Sequence, residues 1–387
     1  MTAYTDGQVT LRSNRAKIGY HEAADLSGYQ GVEPGDFVVH GLDIMRGSVG
    51  VSDSAGAISS VCTVCQPSEL VEARFVAYAM RVQAESGYPK ALARGVREGG
   101  ADFRRWDTLA ELPIPVPEVK VQRLVADFLD RETAEIDAFI ADQDELIGLL
   151  AERRAATISH AVTKGLDPTV RMKESAVEWL GDVPEHWTVN RLSRCVRINE
   201  GQVDPEAEPF VDMILIAPNH IESRTGRTRE FETAREQAAE SGKYLVRRGQ
   251  VIYSKIRPAL AKVVVAPFDC LCSADMYGLS ATDSRSLSNQ YLRWMLLSQS
   301  FTDYAIDQSA RVAMPKLNQD TLGAAPVWYP SLQEQHAITA WITRETTELD
   351  ATISDAEEAI ALSRERRAAL ISAAVTGKID VHERGVA

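Results

Sequence analysis

What this 387-residue chain has little of narrows its possible functions first. No apolar run approaches the roughly 18 residues that a membrane-spanning helix needs, and no basic-then-apolar leader pattern is present. Cysteine is sparse, five in all, and an odd number fits a reducing compartment, so the cytoplasm is the expected location. Cys62 and Cys65 form a lone CxxC, and Cys270 and Cys272 a CxC. Both lie in apolar, strand-like text without further ligands, which reads as buried thiols rather than a zinc site. The seven histidines show no HExxH or HxH spacing. There is no Walker-type phosphate loop, and no GxGxxG follows a strand. No Asn-Pro-Pro-aromatic or Asp-Pro-Pro-aromatic set for methylating a base amine appears. Asp204-Pro205-Glu206 lacks the second proline and the aromatic. No catalytic constellation stands out, and a non-enzymatic role is expected.

A basic surplus is missing too: the net charge is −13, which at first opposes a nucleic-acid partner. The excess is uneven. Residues 113–170 carry 6 basic and 11 acidic groups, and residues 330–387 carry 6 and 10, so nine of the thirteen excess negative charges fall in these two stretches. The remaining segments are nearly neutral, which leaves room for local basic faces.

Those two acidic stretches are copies of each other. Pro117–Asp167 aligns with Pro330–Asp380 without a gap at an offset of 213, about half the positions being identical. Arg131-Glu132-Thr133-Ala134-Glu135-Ile136-Asp137 reads against Arg344-Glu345-Thr346-Thr347-Glu348-Leu349-Asp350. Glu152-Arg153-Arg154 reads against Glu365-Arg366-Arg367. Each copy has proline at its start, glycine at its end (Gly165, Gly377) and none of the breakers in between that would stop a helix, Gly148 being the one weak point. Apolar residues recur every three or four positions. The spacing predicts two long helices that seek each other through Leu124, Phe128, Ile136, Ile140 and Ile147 on one and Ile338, Trp341, Leu349, Ile353 and Ile360 on the other. Some 48 residues at about 1.5 Å each make a rod of roughly 70 Å. The apolar stripe is locally wide around Ile136, Phe139 and Ile140, which points to further subunits docking on it.

Between the rods the text alternates short apolar runs with turn signals. Val32-Glu33-Pro34-Gly35-Asp36-Phe37-Val38-Val39 reads as a turn feeding a strand, and residues 72–86 as a helix. Residues 171–329 follow the same plan, with Gly249-Gln250-Val251-Ile252 matching Gly35-Asp36-Phe37-Val38 and a helix around 287–300. The expected organisation is globule (1–112), helix (113–170), globule (171–325), helix (326–387). As a class it is α+β: two globular α/β domains separated by two long antiparallel coiled-coil helices, with a pseudo-twofold internal repeat.

Several motifs carry a resemblance. They are Glu178-Trp179-Leu180-Gly181, Pro184-Glu185-His186-Trp187, Lys255-Ile256-Arg257-Pro258, Met314-Pro315-Lys316-Leu317-Asn318, Pro330-Ser331-Leu332-Gln333-Glu334-Gln335 and the Glu-Arg-Arg rods. Together they resemble the specificity subunit of Type I restriction–modification systems over nearly the whole chain. The resemblance implies two target recognition domains, each reading half of a split double-stranded DNA target. It also implies methyltransferase subunits on the helices and domains, and a restriction–translocase subunit joining them. S-adenosylmethionine, ATP and Mg are then expected on those partners and no cofactor on this chain. Nothing before Gly35 corresponds to residues 172–213, so the first recognition domain is expected to be N-terminally incomplete.

For DNA reading the expected residues are Lys255, Arg257, Lys262, Arg311, Lys316 and Asn318 in the second globule and Arg46, Arg94, Arg97 and Arg104 in the first. Cations grip phosphates, while arginine forks read guanine and amides read adenine. Two other functions compete: a coiled-coil adaptor that reads no DNA, and a metal-dependent nuclease using acids such as Asp269 and Asp275.

Overall fold

The computed structural model describes residues 1–15, 27–88, 96–97, 100–309 and 315–381. It divides into two compact units, Met1–Asp144 with Ala356–Ala387, and Glu145–Asp355. The division falls within both long helices, Val119–Lys164 and Leu332–Val375, so each unit holds a stretch of both. Among the described residues no helix is long and apolar enough to cross a membrane.

In the first unit the strand Phe37–His40 is flanked by Val49–Val51 and Cys62–Cys65 in an antiparallel sheet. The turn before it forms as its sequence predicts. Gly35 takes φ +94°, a region open to glycine, and Asp36 Oδ2 accepts from the Glu33 N–H at 2.8 Å. The helix Ala73–Ser86 divides its apolar residues between two neighbours. Ala77 and Met80 face the sheet with Phe37 and Val39, whereas Phe75, Tyr78 and Ala79 pack on Val125, Phe128 and Leu129 of one long helix and Ile371, Ala374 and Val375 of the other.

The second unit is built on two four-stranded sheets. One runs Val196–Ile198, Met276–Ala281, Val251–Ser254, Val263–Val265 and is antiparallel throughout. The other runs Gln202–Val203, Lys243–Val246, Cys270–Cys272, Leu215–Ile216 and has one parallel pair. The turn motif recurs: Gly249 takes φ +86° and Gln250 Oε1 accepts from the Arg247 N–H at 2.8 Å. The helical region expected near 287–300 is two helices, Asn289–Leu297 and Gln299–Ser309. The lead-in segment anchors through its tryptophans. Trp179 stacks on Tyr304 at 5.2 Å, and buried Trp187 donates its Nε1–H to Glu334 at 3.1 Å.

The two helices pair antiparallel in each unit, with the copies exchanged. In the first unit Val125 and Leu129 share a core with Ile371, Ala374 and Val375. In the second, Ile338 and Ile342 share one with Ile158, Ala161 and Val162. Adding the repeat offset of 213 to the first helix's residues converts one set into the other. The ion pairs obey the same rule. Arg367 meets Asp137 through two bonds of 2.8 and 3.0 Å, and Arg154 meets Asp350 at 2.9 Å. Each unit thus repeats the other's helix pairing with the two copies swapped.

The repeat extends to a buried amide at the foot of each helix. Gln122 Oε1 accepts from the Glu72 N–H, and its Nε2 donates to the carbonyls of Leu70 and Pro117. Gln335 does the same with the Ser288 N–H and the carbonyls of Ser286 and Pro330. Each glutamine ties the helix start to the segment leading into the globule's own helix. Both are fully buried, where an unpaired amide would be costly.

The expected seam needs one correction. Phe128, Ile136, Ile338, Leu349, Ile353 and Ile360 are buried, and Ile140, Ile147 and Trp341 are half-buried. Leu124, however, is 42% exposed. The helix there presents the stripe Val125, Phe128, Leu129 to its neighbours, and Leu124 lies one residue, about 100°, off that stripe. Phe139, Leu146, Leu149 and Leu362 are also exposed on the helices, and Leu149 and Leu362 are equivalents in the repeat.

Candidate nucleic-acid interface

The cations expected in the second globule gather where the strand Val251–Ser254 ends. The chain continues through Lys255 and Ile256 into Arg257, which takes a left-handed φ of +48° just before the turn Pro258–Leu260. Residues 315–317 run beside it antiparallel. Ile256 bridges Lys316, the Arg257 N–H donates to the Pro315 carbonyl at 2.9 Å, and the Leu317 N–H donates to the Lys255 carbonyl at 2.8 Å. Tyr277 supports the junction from beneath. Its hydroxyl donates to the Leu317 carbonyl and its ring lies 5.6 Å from Lys255 Nζ. Lys316, distant in sequence, therefore shares one edge with Lys255 and Arg257, and Arg257 and Lys316 are exposed there.

Lys262 stands across the turn, since the Ser254 N–H donates to its carbonyl. Its ammonium donates to the Pro218 carbonyl. Partial burial and the nearby Arg229 guanidinium lower its pKa. Asn318 caps the helix Gln319–Ala324, its Oδ1 accepting from the Thr321 N–H at 2.8 Å. That oxygen is committed to the cap, which leaves only the amide N–H groups of Asn318 for another partner. Arg311 lies outside the described residues.

In the first globule Arg46 is exposed and 4.0 Å from Asp43. Arg104 is gripped by Asp102 through two bonds, and this ion pair holds its guanidinium more firmly protonated. Arg97 lies in the short strand Val96–Arg97, and Arg94 lies outside the described residues. Between the two with described side chains, Arg46 and Arg104, no shared edge like that of the second globule is formed by backbone pairing.

One basic element escaped the sequence reading: the hairpin closed by the Ile221–Thr228 bridge. It carries Arg224 and Arg227, with Arg229 just beyond, all exposed. Arg227 is paired with Glu222 at 3.1 Å. Three arginines within six residues were visible in the sequence. A local count was needed to see them, because the globule as a whole is close to neutral. Asp269, considered above as a metal ligand, is instead held by Arg247 Nη1 and the Arg248 N–H. Cys270 and Cys272 are interior strand residues, and burial pushes both thiols up to about 12.

Two globules, a paired-helix repeat and cations gathered at a loop edge of the second globule define a class: a modular protein built on an internal repeat. Comparison with known proteins names it. Residues 184–357 match the family model described as the Type I restriction modification DNA specificity domain. The EcoDI specificity subunit of Escherichia coli is 31% identical over 284 residues, 70% of this chain and 62% of that subunit. The EcoBI specificity subunit of Escherichia coli is 22% identical over 82% of this chain and 68% of that subunit. The chain thus spans about three-fifths of the length of the EcoDI relative. A solved chain from work on complex assembly and conformational transition of the type I R-M system shares the fold. Its TM-score is 0.67 at 15% identity, covering 90% of this chain and 84% of that one. Residues 184–357 thus carry the Type I restriction modification DNA specificity domain, and the chain as a whole is similar to specificity subunits of Type I restriction enzymes.

Proposed function

We propose that this chain reads a bipartite double-stranded DNA target and directs methyltransferase and restriction subunits to it. The second globule is the part of the chain that matches a DNA specificity domain. The observation that carries the reading is the placement of Lys255, Arg257 and Lys316 on one edge of that globule by the 255–257 and 315–317 pairing. Cations on such an edge neutralise phosphates and set the globule's register on the duplex. Side chains from the neighbouring loops then read base edges.

In this reading the chain itself is not catalytic. Methyl transfer from S-adenosylmethionine and ATP- and Mg-dependent translocation and cleavage belong to partner subunits, which act on DNA in the cytoplasm. The exposed Leu149 and Leu362, equivalent in the repeat, are apolar surface on which such partners dock. The adaptor alternative has no observation in its favour that the family match leaves standing.

The test is modification-sensitive sequencing of DNA from cells carrying this chain together with its methyltransferase subunit. A split methylated adenine motif is expected, absent when this chain is deleted. Methylation that ignores its presence would refute the reading.

A further inference from the structure

Arg154 belongs to the first long helix, yet most of its hydrogen bonds leave the helix pair. Its side chain is only 7% exposed. Nε donates to Asp350 Oδ1 at 2.9 Å, Nη1 to the Arg224 carbonyl at 2.9 Å and Nη2 to the Thr225 carbonyl at 3.1 Å. A second guanidinium closes on the same point: Arg293 Nη2 donates to the Thr225 carbonyl at 3.3 Å, lying 3.9 Å over the Trp294 ring. Burial, with Arg154 beside it, lowers the Arg293 pKa to about 10. The next residue, Gly226, takes φ +69°, and a Cβ there would stand 2.7 Å from both the Val263 carbonyl oxygen and Arg293 Nη2. The hairpin tip is therefore clasped on both sides.

The clasp reaches the basic edge. Arg224, itself at φ +64°, donates its N–H to the Leu260 carbonyl at 3.0 Å. Leu260 ends the turn that begins after Arg257. A short series of hydrogen bonds thus runs from helix residue Arg154 through Arg224 to the turn that presents Arg257. The repeat supplies a contrast. Arg367, at the equivalent position, directs Nε and Nη2 to Asp137.

We propose that Arg154 is a positioning residue for DNA reading. It sets the pose of the 221–229 hairpin and, through Leu260, of Arg257, and so tunes base discrimination at one half-site without touching DNA. This rests on the DNA-reading function proposed above. A lysine at this position keeps the charge but presents a single ammonium, which cannot reach three acceptors with the planar fork of arginine.

The experiment uses the assembled complex with methyltransferase subunits. Initial methylation rates are measured on duplexes carrying every single-base change in each half-site, alongside thermal melting. Arg154→Lys is expected to assemble and to lose about tenfold of its discrimination at one half-site, leaving the other as in the wild type. Arg367→Lys is expected to leave both unchanged. Gly226→Ala perturbs the same hairpin from the globule side and should relax the same half-site as Arg154→Lys, which keeps the test decisive where Arg154→Lys fails to assemble. Equal loss at both half-sites, or loss that follows melting temperature alone, overturns the proposal. So does unchanged discrimination in Arg154→Lys or, where that variant does not assemble, in Gly226→Ala. A wild-type complex that methylates no bipartite target removes the DNA-reading function itself, a result distinct from any of these.

Discussion

Replacing Gln335 by leucine tests whether the buried amide at the helix foot is what holds the second globule to its helix. The substitution nearly preserves volume but removes the acceptor of the Ser288 N–H and the donor to the Ser286 and Pro330 carbonyls. Each buried group left unpaired costs about 1–3 kcal/mol. Because relaxation lets water reach some of them, the total should be about 3–5 kcal/mol, or roughly 10 °C of melting temperature for a unit of this size. The assay is calorimetry of the complex. The transition assigned to Glu145–Asp355 should fall, while Gln122→Leu should lower the transition of the other unit. Gln335→Glu refines the test. It keeps the acceptor for Ser288 but turns a carboxylate toward two carbonyls, so burial and those oxygens raise its pKa above the ordinary value of about 4.3. With the folded-state pKa raised, the variant's deficit is smallest below the unfolded pKa and grows as pH rises toward the folded one. Its gap from wild type should narrow as pH falls from about 7 toward 4.5. A leucine variant that melts within about 2 °C of wild type, or a glutamate gap that is flat with pH, would refute the reasoning.

Other outcomes follow from the same structure. Arg257→Ala and Lys316→Ala should each weaken DNA binding by the complex by about 1–3 kcal/mol and lower the salt slope by about 1, as filter binding across salt concentrations would show; an unchanged slope removes that residue from the interface. Cys270 and Cys272, with thiols pushed up to about 12 by burial, should resist alkylation at pH 8 in the native protein and react fully in denaturant; mass spectrometry distinguishes the two. Leu149→Lys and Leu362→Lys together should leave both melting transitions in place and reduce co-purification with the methyltransferase subunit. Undiminished recovery would show that these leucines bind nothing.

The parts of the fold legible in the sequence were those stated twice. The offset of 213 located both helices within a few residues of Val119–Lys164 and Leu332–Val375, and the turns at Gly35 and Gly249 were readable from glycine and its neighbours. Leu124 was misplaced because periodicity fixes a stripe only to within a residue when two partners, another helix and a globule, compete for the same face. The clasp around Arg154 was not legible. Its acceptors are backbone carbonyls, which any residue supplies, and they reach Arg154 from some 70 positions away. The Lys255, Arg257 and Lys316 edge was legible only because its two segments are motifs. The backbone pairing that joins them leaves no pattern in composition.

The exchange of partners between helix copies bears on how long such a chain must be. Asp350 and Arg367 stand on the same helix, as do Asp137 and Arg154, so each copy carries both halves of the ion pair. Its seam residues divide likewise: Ile338 and Ile342 near one end, Ile371, Ala374 and Val375 near the other. A polypeptide made of residues 171–387 alone would still hold everything the seam requires. Laid antiparallel on a second copy of itself, it would form the Asp350–Arg367 pair twice and close as a dimer. Such a dimer would carry two identical readers and so would select a palindromic target. Under the proposed function, joining the copies in one polypeptide frees the two readers to diverge, so that an asymmetric target becomes readable.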